Sequence, residues 1–319
     1  MKKILIILAL LTLTACTQDT TSVADDVVVG DDGSDNKLRG IFQTATELAY
    51  DRVELELDPA LTLASISSIA ADQSGHFYII HRAEDVDSIV VADNAGSVLR
   101  TFGQGLFTRA HTIRLDKTGN VWTVDSTSSM VYKFSPEGEL LLEISVGNLR
   151  MPMETSCAAS DIAFADNGHV FVSDGYCNAR IVEYDAQGQK LKEWGSPGNG
   201  PGQFNLPHAI SISPDGNVYV ADRENGRIQW FTQDGDYLGE WHFGGRILSI
   251  TFSPSGNLYI GAEPKGATPM QEGNILQLDP QSGEVLGKIP GFAHALGISE
   301  SGIILAGSLT EKITLYYPN

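Results

Sequence analysis

Three of the seven histidines in this 319-residue chain fall at one phase. His111, His208 and His294 each stand eight residues before a glycine, Gly119, Gly216 and Gly302, that closes a short polar turn. Three neutral imidazoles that converge make a Zn²⁺ site with a fourth position open to water or substrate, as in catalytic rather than closed structural zinc sites. His76, His81, His169 and His242 share no phase and read as turn or sheet-edge residues. Arg82, in Ile79-Ile-His-Arg82, and Arg223, in Ala221-Asp-Arg223, follow strand-like runs at nearly matching places. Tyr176 sits beside Cys177 in the loop Ser173-Asp-Gly-Tyr-Cys-Asn-Ala-Arg180. Taken alone these last three are weak signals, because a rim arginine is more often an ion-pair partner and tyrosine is common at strand ends.

The elements that must position these residues repeat. Ile212-Ser-Pro-Asp-Gly-Asn-Val-Tyr-Val-Ala-Asp222 and Phe252-Ser-Pro-Ser-Gly-Asn-Leu-Tyr-Ile-Gly261 are the clearest copies. Looser ones surround Gly75, Gly119, Gly168 and Gly302, so the turn glycines recur every 40 to 49 residues. Each copy alternates β-branched and aromatic residues around a short polar turn that ends in glycine, as in Asp215-Gly216 and Asn167-Gly168, which is hairpin chemistry. Two further strands complete each unit, as in Arg227–Gly235 and Tyr237–Trp241. Four strands per period, six times over, specify an all-β, six-bladed β-propeller. A pair of β-sandwiches would not produce six copies at one period. The last repeat holds only three strands, and Arg52–Leu57 is expected to supply its outer strand and close the ring. Counting back eight residues from each turn glycine gives Ser67, His111, Ser160, His208, Leu248 and His294. The histidines therefore belong to blades two, four and six, pointing inward around the channel axis.

Composition narrows the partners. With 21 basic against 40 acidic residues the net charge is −19, and no Lys/Arg cluster suited to nucleic acid is present. Residues 1–15 carry Lys2 and Lys3, an apolar run from Ile4 to Leu13, and Leu13-Thr14-Ala15 before Cys16. This reads as a lipoprotein signal peptide, with Cys16 expected to be the lipidated first residue of the mature chain. Cleavage removes Lys2 and Lys3, which takes the charge from −19 to −21. Residues 16–37, polar and rich in Asp, read as a disordered tether, and 38–319 as the propeller. The expected location is the bacterial cell envelope, at the outer membrane or cell surface, held there by lipid alone. Export leaves Cys157 and Cys177 as an even pair in an oxidising compartment, for which a disulfide is the default and two buried thiols the alternative.

Three stretches carry a resemblance: Ser173-Asp-Gly-Tyr-Cys-Asn-Ala-Arg-Ile181, Gly202-Gln-Phe-Asn-Leu-Pro-His208 and Ala221-Asp-Arg-Glu-Asn-Gly-Arg-Ile228. They closely resemble the lyase domain of peptidylglycine α-amidating enzymes, an NHL-repeat propeller, over roughly residues 50–317. The resemblance implies zinc on His111, His208 and His294, and active-site roles for Tyr176, Arg82 and Arg223. It also implies a Cys157–Cys177 disulfide. The substrate it implies is a peptide or small molecule ending in an α-hydroxyglycine-like group, cleaved to an amide and glyoxylate. Tyr176 would be the base, with Arg82 beside it and Arg223 clamping the substrate carboxylate. The family also places a structural calcium in the channel, on carbonyls matching Ile69 and Ile113 and on an Asp after the third histidine. That Asp is Ala295 here, which removes the only carboxylate and argues against calcium. The competing function is a non-catalytic propeller that binds a protein or glycan, with zinc stapling the channel. A sugar-lactonase-like propeller is a third, but such sites are built on carboxylates around calcium, against which the histidine phase speaks.

Overall fold

The computed structural model describes residues 34–147, 158–176, 178–268 and 271–319. These form six four-stranded antiparallel sheets. Blade one runs outward through Ser68–Ala71, Phe77–Ile80, Ile89–Ala92 and Val98–Phe102. Blade two is Ala110–Leu115, Val121–Asp125, Met130–Phe134 and Leu140–Ser145. Blades three, four and five start at the inner strands Asp161–Phe164, Pro207–Ile212 and Arg246–Phe252. Blade six runs Ala295–Ile298, Ile304–Gly307 and Ile313–Pro318, and its outer strand comes from Tyr50–Leu55. That strand pairs antiparallel with Ile313–Pro318, so the ring closes as the sequence implied.

The core lies between blades rather than on the axis. Six buried clusters each join two neighbouring blades. Ile80, Val91, Ile113 and Phe134 join blades one and two, and Val124, Val131, Val172 and Val182 join two and three. Leu305, Leu315, Phe77 and Val90 close the ring between six and one. Alternation of apolar residues on both faces of each strand is what such packing requires. Each blade packs its apolar faces against its two neighbours, so these interfaces carry most of the hold on blade spacing.

A helix, α1 (Ser34–Thr44), docks against the interface of blades four and five. Its apolar residues Leu38, Ile41 and Phe42 share one face by their i, i+3, i+4 spacing. Leu38 is fully buried there, among Ile247, Ile260 and Leu276. The Asp35 carboxylate accepts from the backbone N–H groups of Lys265 and Gly266 at 2.9 Å. Residues 34–37, expected at the end of the tether, are thus the first turn of a packed helix. The sequence hid this because the turn is polar and its partners lie some 230 residues away. The rest of the tether, the signal peptide and Cys16 fall outside the described residues. Leu38→Ala should lower unfolding stability by about 2–5 kcal/mol, the cost of emptying a buried leucine site. Urea unfolding checks this, and an unchanged midpoint would mean that α1 is not part of the folded domain.

Candidate metal centre

His111 and His208 occupy the same irregular place at the mouth of their strands. Pairing runs from Ala110↔Asp125 to Thr112↔Val124, and from Pro207↔Asp222 to Ala209↔Ala221, so each histidine is the extra residue of a β-bulge. Bulges re-aim one side chain out of the sheet's alternation, and here they turn the imidazoles toward the axis. His294 immediately precedes the first paired residue of blade six, Ala295. The three rings lie 4.7–5.1 Å apart between centroids. One ligating nitrogen from each falls within 4.8 Å of the others.

Each imidazole is held from the blade that follows it. His111 Nδ1 lies 2.6 Å from the Ser160 carbonyl, His208 Nδ1 2.5 Å from that of Leu248, and His294 Nδ1 3.3 Å from that of Ser67. A carbonyl only accepts, so each Nδ1 carries the proton and each Nε2 keeps its lone pair for a ligand. The acceptors Ser160, Leu248 and Ser67 are the other three residues of the same six-fold phase. The blade before each histidine contributes as well. Hydroxyls of Ser67, Ser160 and Ser249 donate to the carbonyls of Ala110, Pro207 and Ala293, the residues just ahead of the histidines. Neither set of contacts was read from the sequence, although the phase that found the histidines had already singled out Ser67, Ser160 and Leu248.

Tyr176 caps the cluster. Its hydroxyl lies 2.8 Å from His111 Nε2 and 3.1 Å from His208 Nε2. The Tyr176 N–H donates to the Ala158 carbonyl at 3.1 Å. The preceding Gly175 packs so closely on Pro207 that a Cβ there would meet the Pro207 carbonyl oxygen at 2.2 Å. Arg82 donates through Nε to the Ala110 carbonyl at 2.8 Å, beside His111. Burial, then the charge of Arg109, brings the Arg82 guanidinium down to about 10. Arg223 donates through Nε to Glu224 at 2.7 Å, and Glu224 also binds Arg246. The structure thus brings His111, His208, His294, Tyr176 and Arg82 together, and sets Arg223 close enough for its charge to act on His208 and His294. Arg109, which the sequence did not single out, adds positive charge near His294 and Arg82. His81, expected at a turn or edge, is instead buried beside Arg82, where its Nδ1 accepts from the Ala83 N–H. Cys157 and Cys177 lie outside the described residues.

A soft-to-borderline divalent ion fits this set of three neutral imidazoles. Calcium does not fit the channel beneath it, since residue 295 is alanine and the guanidinium of Arg114 donates to the adjacent Leu296 carbonyl.

Comparisons with known proteins agree with the fold. The NHL repeat pattern matches residues 204–231. Rat peptidylglycine α-amidating monooxygenase is 31% identical over 320 residues, covering 82% of this chain but only 32% of the rat protein. A probable peptidyl-α-hydroxyglycine α-amidating lyase of Caenorhabditis elegans is 28% identical, covering 79% of this chain and 82% of the nematode one. The chain is an NHL-repeat propeller related to the α-amidating lyases. It spans about a third of the length of its vertebrate relatives and most of the nematode protein. Among solved structures, a streptogramin B lyase shares the fold with a TM-score of 0.62 at 15% identity, covering 85% of this chain and 98% of that one.

The electrostatics generate a prediction for the metal-free protein. Burial first, then the charges of Arg82, Arg223 and Arg109, lowers the His294 imidazole from 6.5 to about 3. Burial is also the leading cause that lowers His111 and His208. With pKa values depressed in the folded state, the unfolded chain takes up protons first, so stability falls as pH drops from about 6.5 toward about 3. Melting temperatures of the metal-free protein across that range should fall, with a shallower slope in His294→Gln. Equal slopes in the two proteins would mean that His294 is not desolvated.

Proposed function

We propose that the chain is a zinc-dependent lyase that cleaves an α-hydroxyglycine-type carbinolamide, R–CO–NH–CH(OH)–COO⁻, to the amide R–CO–NH₂ and glyoxylate. The observation that carries this reading is the Tyr176 hydroxyl, in hydrogen-bond reach of two of the three ligating nitrogens. A proton-handling oxygen at the open side of a tris-histidine centre suits elimination from a carbinol better than it suits a purely structural ion. Bound by His111, His208 and His294, Zn²⁺ would supply Lewis acidity and orient the oxygens of the substrate.

The chain's own residues account for the proton and charge balance. Tyr176, as its phenolate, takes the proton of the carbinol hydroxyl. The oxygen's electron pair closes to the aldehyde carbonyl of glyoxylate as the C–N bond breaks. The bond's electron pair stays on nitrogen, which takes the same proton back from Tyr176, so no net proton is consumed. Arg82 lies beside the cluster, where its positive charge stabilises negative charge that develops in the reaction. Arg223, oriented by Glu224, offers its two terminal nitrogens to the substrate carboxylate. On an anionic protein this local positive charge is what allows an anionic substrate to approach. With lipid on Cys16 the enzyme would act at the bacterial envelope.

Glyoxylate release from α-hydroxyhippurate tests the proposal. Tyr176→Phe should lower kcat by ~10²–10⁴-fold with zinc content unchanged. Removing zinc with a chelator should abolish turnover, and added zinc should restore it. A wild-type protein that binds one zinc per chain yet releases no glyoxylate would instead support the propeller that only binds a partner.

A further inference from the structure

Below the histidines, the channel holds a buried ion pair that the proposed chemistry does not use. Arg114 follows His111 by three residues on the inner strand of blade two, and Asp161 opens that of blade three. Arg114 Nη2 donates to Asp161 Oδ2 at 2.8 Å, and Nη1 donates to the Leu296 carbonyl at 2.9 Å. Leu296 follows His294 by two residues on blade six. Blades two and six are not neighbours, so this contact is made across the channel. Asp161 Oδ2 also accepts from the N–H of Ile210, two residues after His208, at 3.2 Å, and Oδ1 from the N–H of Ile162 at 2.9 Å. The two side chains are 16% and 3% exposed. One guanidinium and one carboxylate thus touch all three histidine-bearing inner strands.

We infer that the Arg114–Asp161 pair is the positioning clamp of the metal centre, setting the separation of the three histidine strands in place of a second bound cation. The chemistry of the channel supports a protein-borne cation. A calcium ion needs several oxygen ligands, and here Ala295 brings no side-chain oxygen while Arg114 already donates to the Leu296 carbonyl. A guanidinium beside an incoming dication would also repel it. The planar fork of arginine donates in two directions at once, to a carboxylate and to a carbonyl on another blade, which a lysine ammonium on its flexible stem does not do with fixed geometry. A buried pair adds little net stability compared with a packed apolar substitute, although removing one partner alone is costly. Its value to this chain is therefore geometric, and the geometry it sets is that of the imidazoles.

Zinc affinity of the full chain, measured by competition with a chromophoric chelator, separates positioning from stability. Arg114→Leu should weaken zinc binding by about 10–100-fold, the usual range for lost outer-sphere support. It should also lower the melting temperature by roughly 10 °C through the stranded carboxylate. The double change Arg114→Leu with Asp161→Leu leaves no unpaired charge, so it should recover most of the melting temperature but not the zinc affinity. Millimolar calcium chloride should leave the wild-type melting temperature unchanged. Wild-type zinc affinity in the double variant would overturn the proposal. So would a rise of several degrees in the wild-type melting temperature on adding calcium. If Arg114→Leu does not fold, the double variant and the calcium titration still decide the matter.

Discussion

The site depends on hydrogen bonds that run from each histidine to the next blade. A carbonyl at Ser160, Leu248 or Ser67 fixes the tautomer of one imidazole and the plane of its ring. Those carbonyls sit on blades three, five and one, so no blade holds a complete ligand. The distance between these nitrogens then follows blade spacing, which rests on the apolar clusters between sheets and, across the channel, on the contacts of Arg114 and Asp161. Hydrophobic packing supplies the rigidity and the hydrogen bonds supply the aim. Neither would suffice alone, because a well-packed ring with freely turning imidazoles would leave open which nitrogen faces the axis.

Electrostatics works against the bulk of the molecule. The chain carries 40 acidic residues, yet arginines 82, 109 and 223 gather near three buried imidazoles. Burial already disfavours protonated histidine there, and the arginines reinforce it. The same positive charge that keeps the imidazoles neutral also favours anions at the mouth. One arrangement thus prepares the ligands and selects the sign of what binds above them.

Much of this was legible in the sequence, and the limits of legibility follow from chain separation. The turn glycines gave blade number, and their phase found His111, His208 and His294, because a repeat places equivalent residues at equivalent depths. The ring-closing strand was legible because the last repeat lacked one. The bulges at His111 and His208 were not, since nothing in the apolar alternation distinguishes an inserted residue from a regular one. Nothing in the sequence singles out Arg114, because its acceptor, Leu296, is 182 positions away and on a blade that is not adjacent. Residues 34–37 were read as tether because the turn is polar and the Asp35 contacts that fix it, at Lys265 and Gly266, lie some 230 residues away. Local pattern carries the blades, while the cross-channel contacts need the assembled ring.

Ring closure also has a consequence for the order of assembly. Glu54 and Lys312, joined by a side-chain hydrogen bond at the edge of the closing sheet, are 258 residues apart in the chain. Every other blade is completed by hairpins between sequence neighbours, so those five can form as the chain emerges. Tyr50–Leu55 is among the first segments available and must wait for Ile313–Pro318, which is among the last. Until then the interface of blades six and one stays open, with Phe77, Val90 and Ile69 uncovered on one side. Long-range pairing of this kind is slow to form and leaves apolar edges exposed in the meantime. The final hydrogen-bonded strand is therefore the step at which the nascent ring is most prone to join another copy of itself.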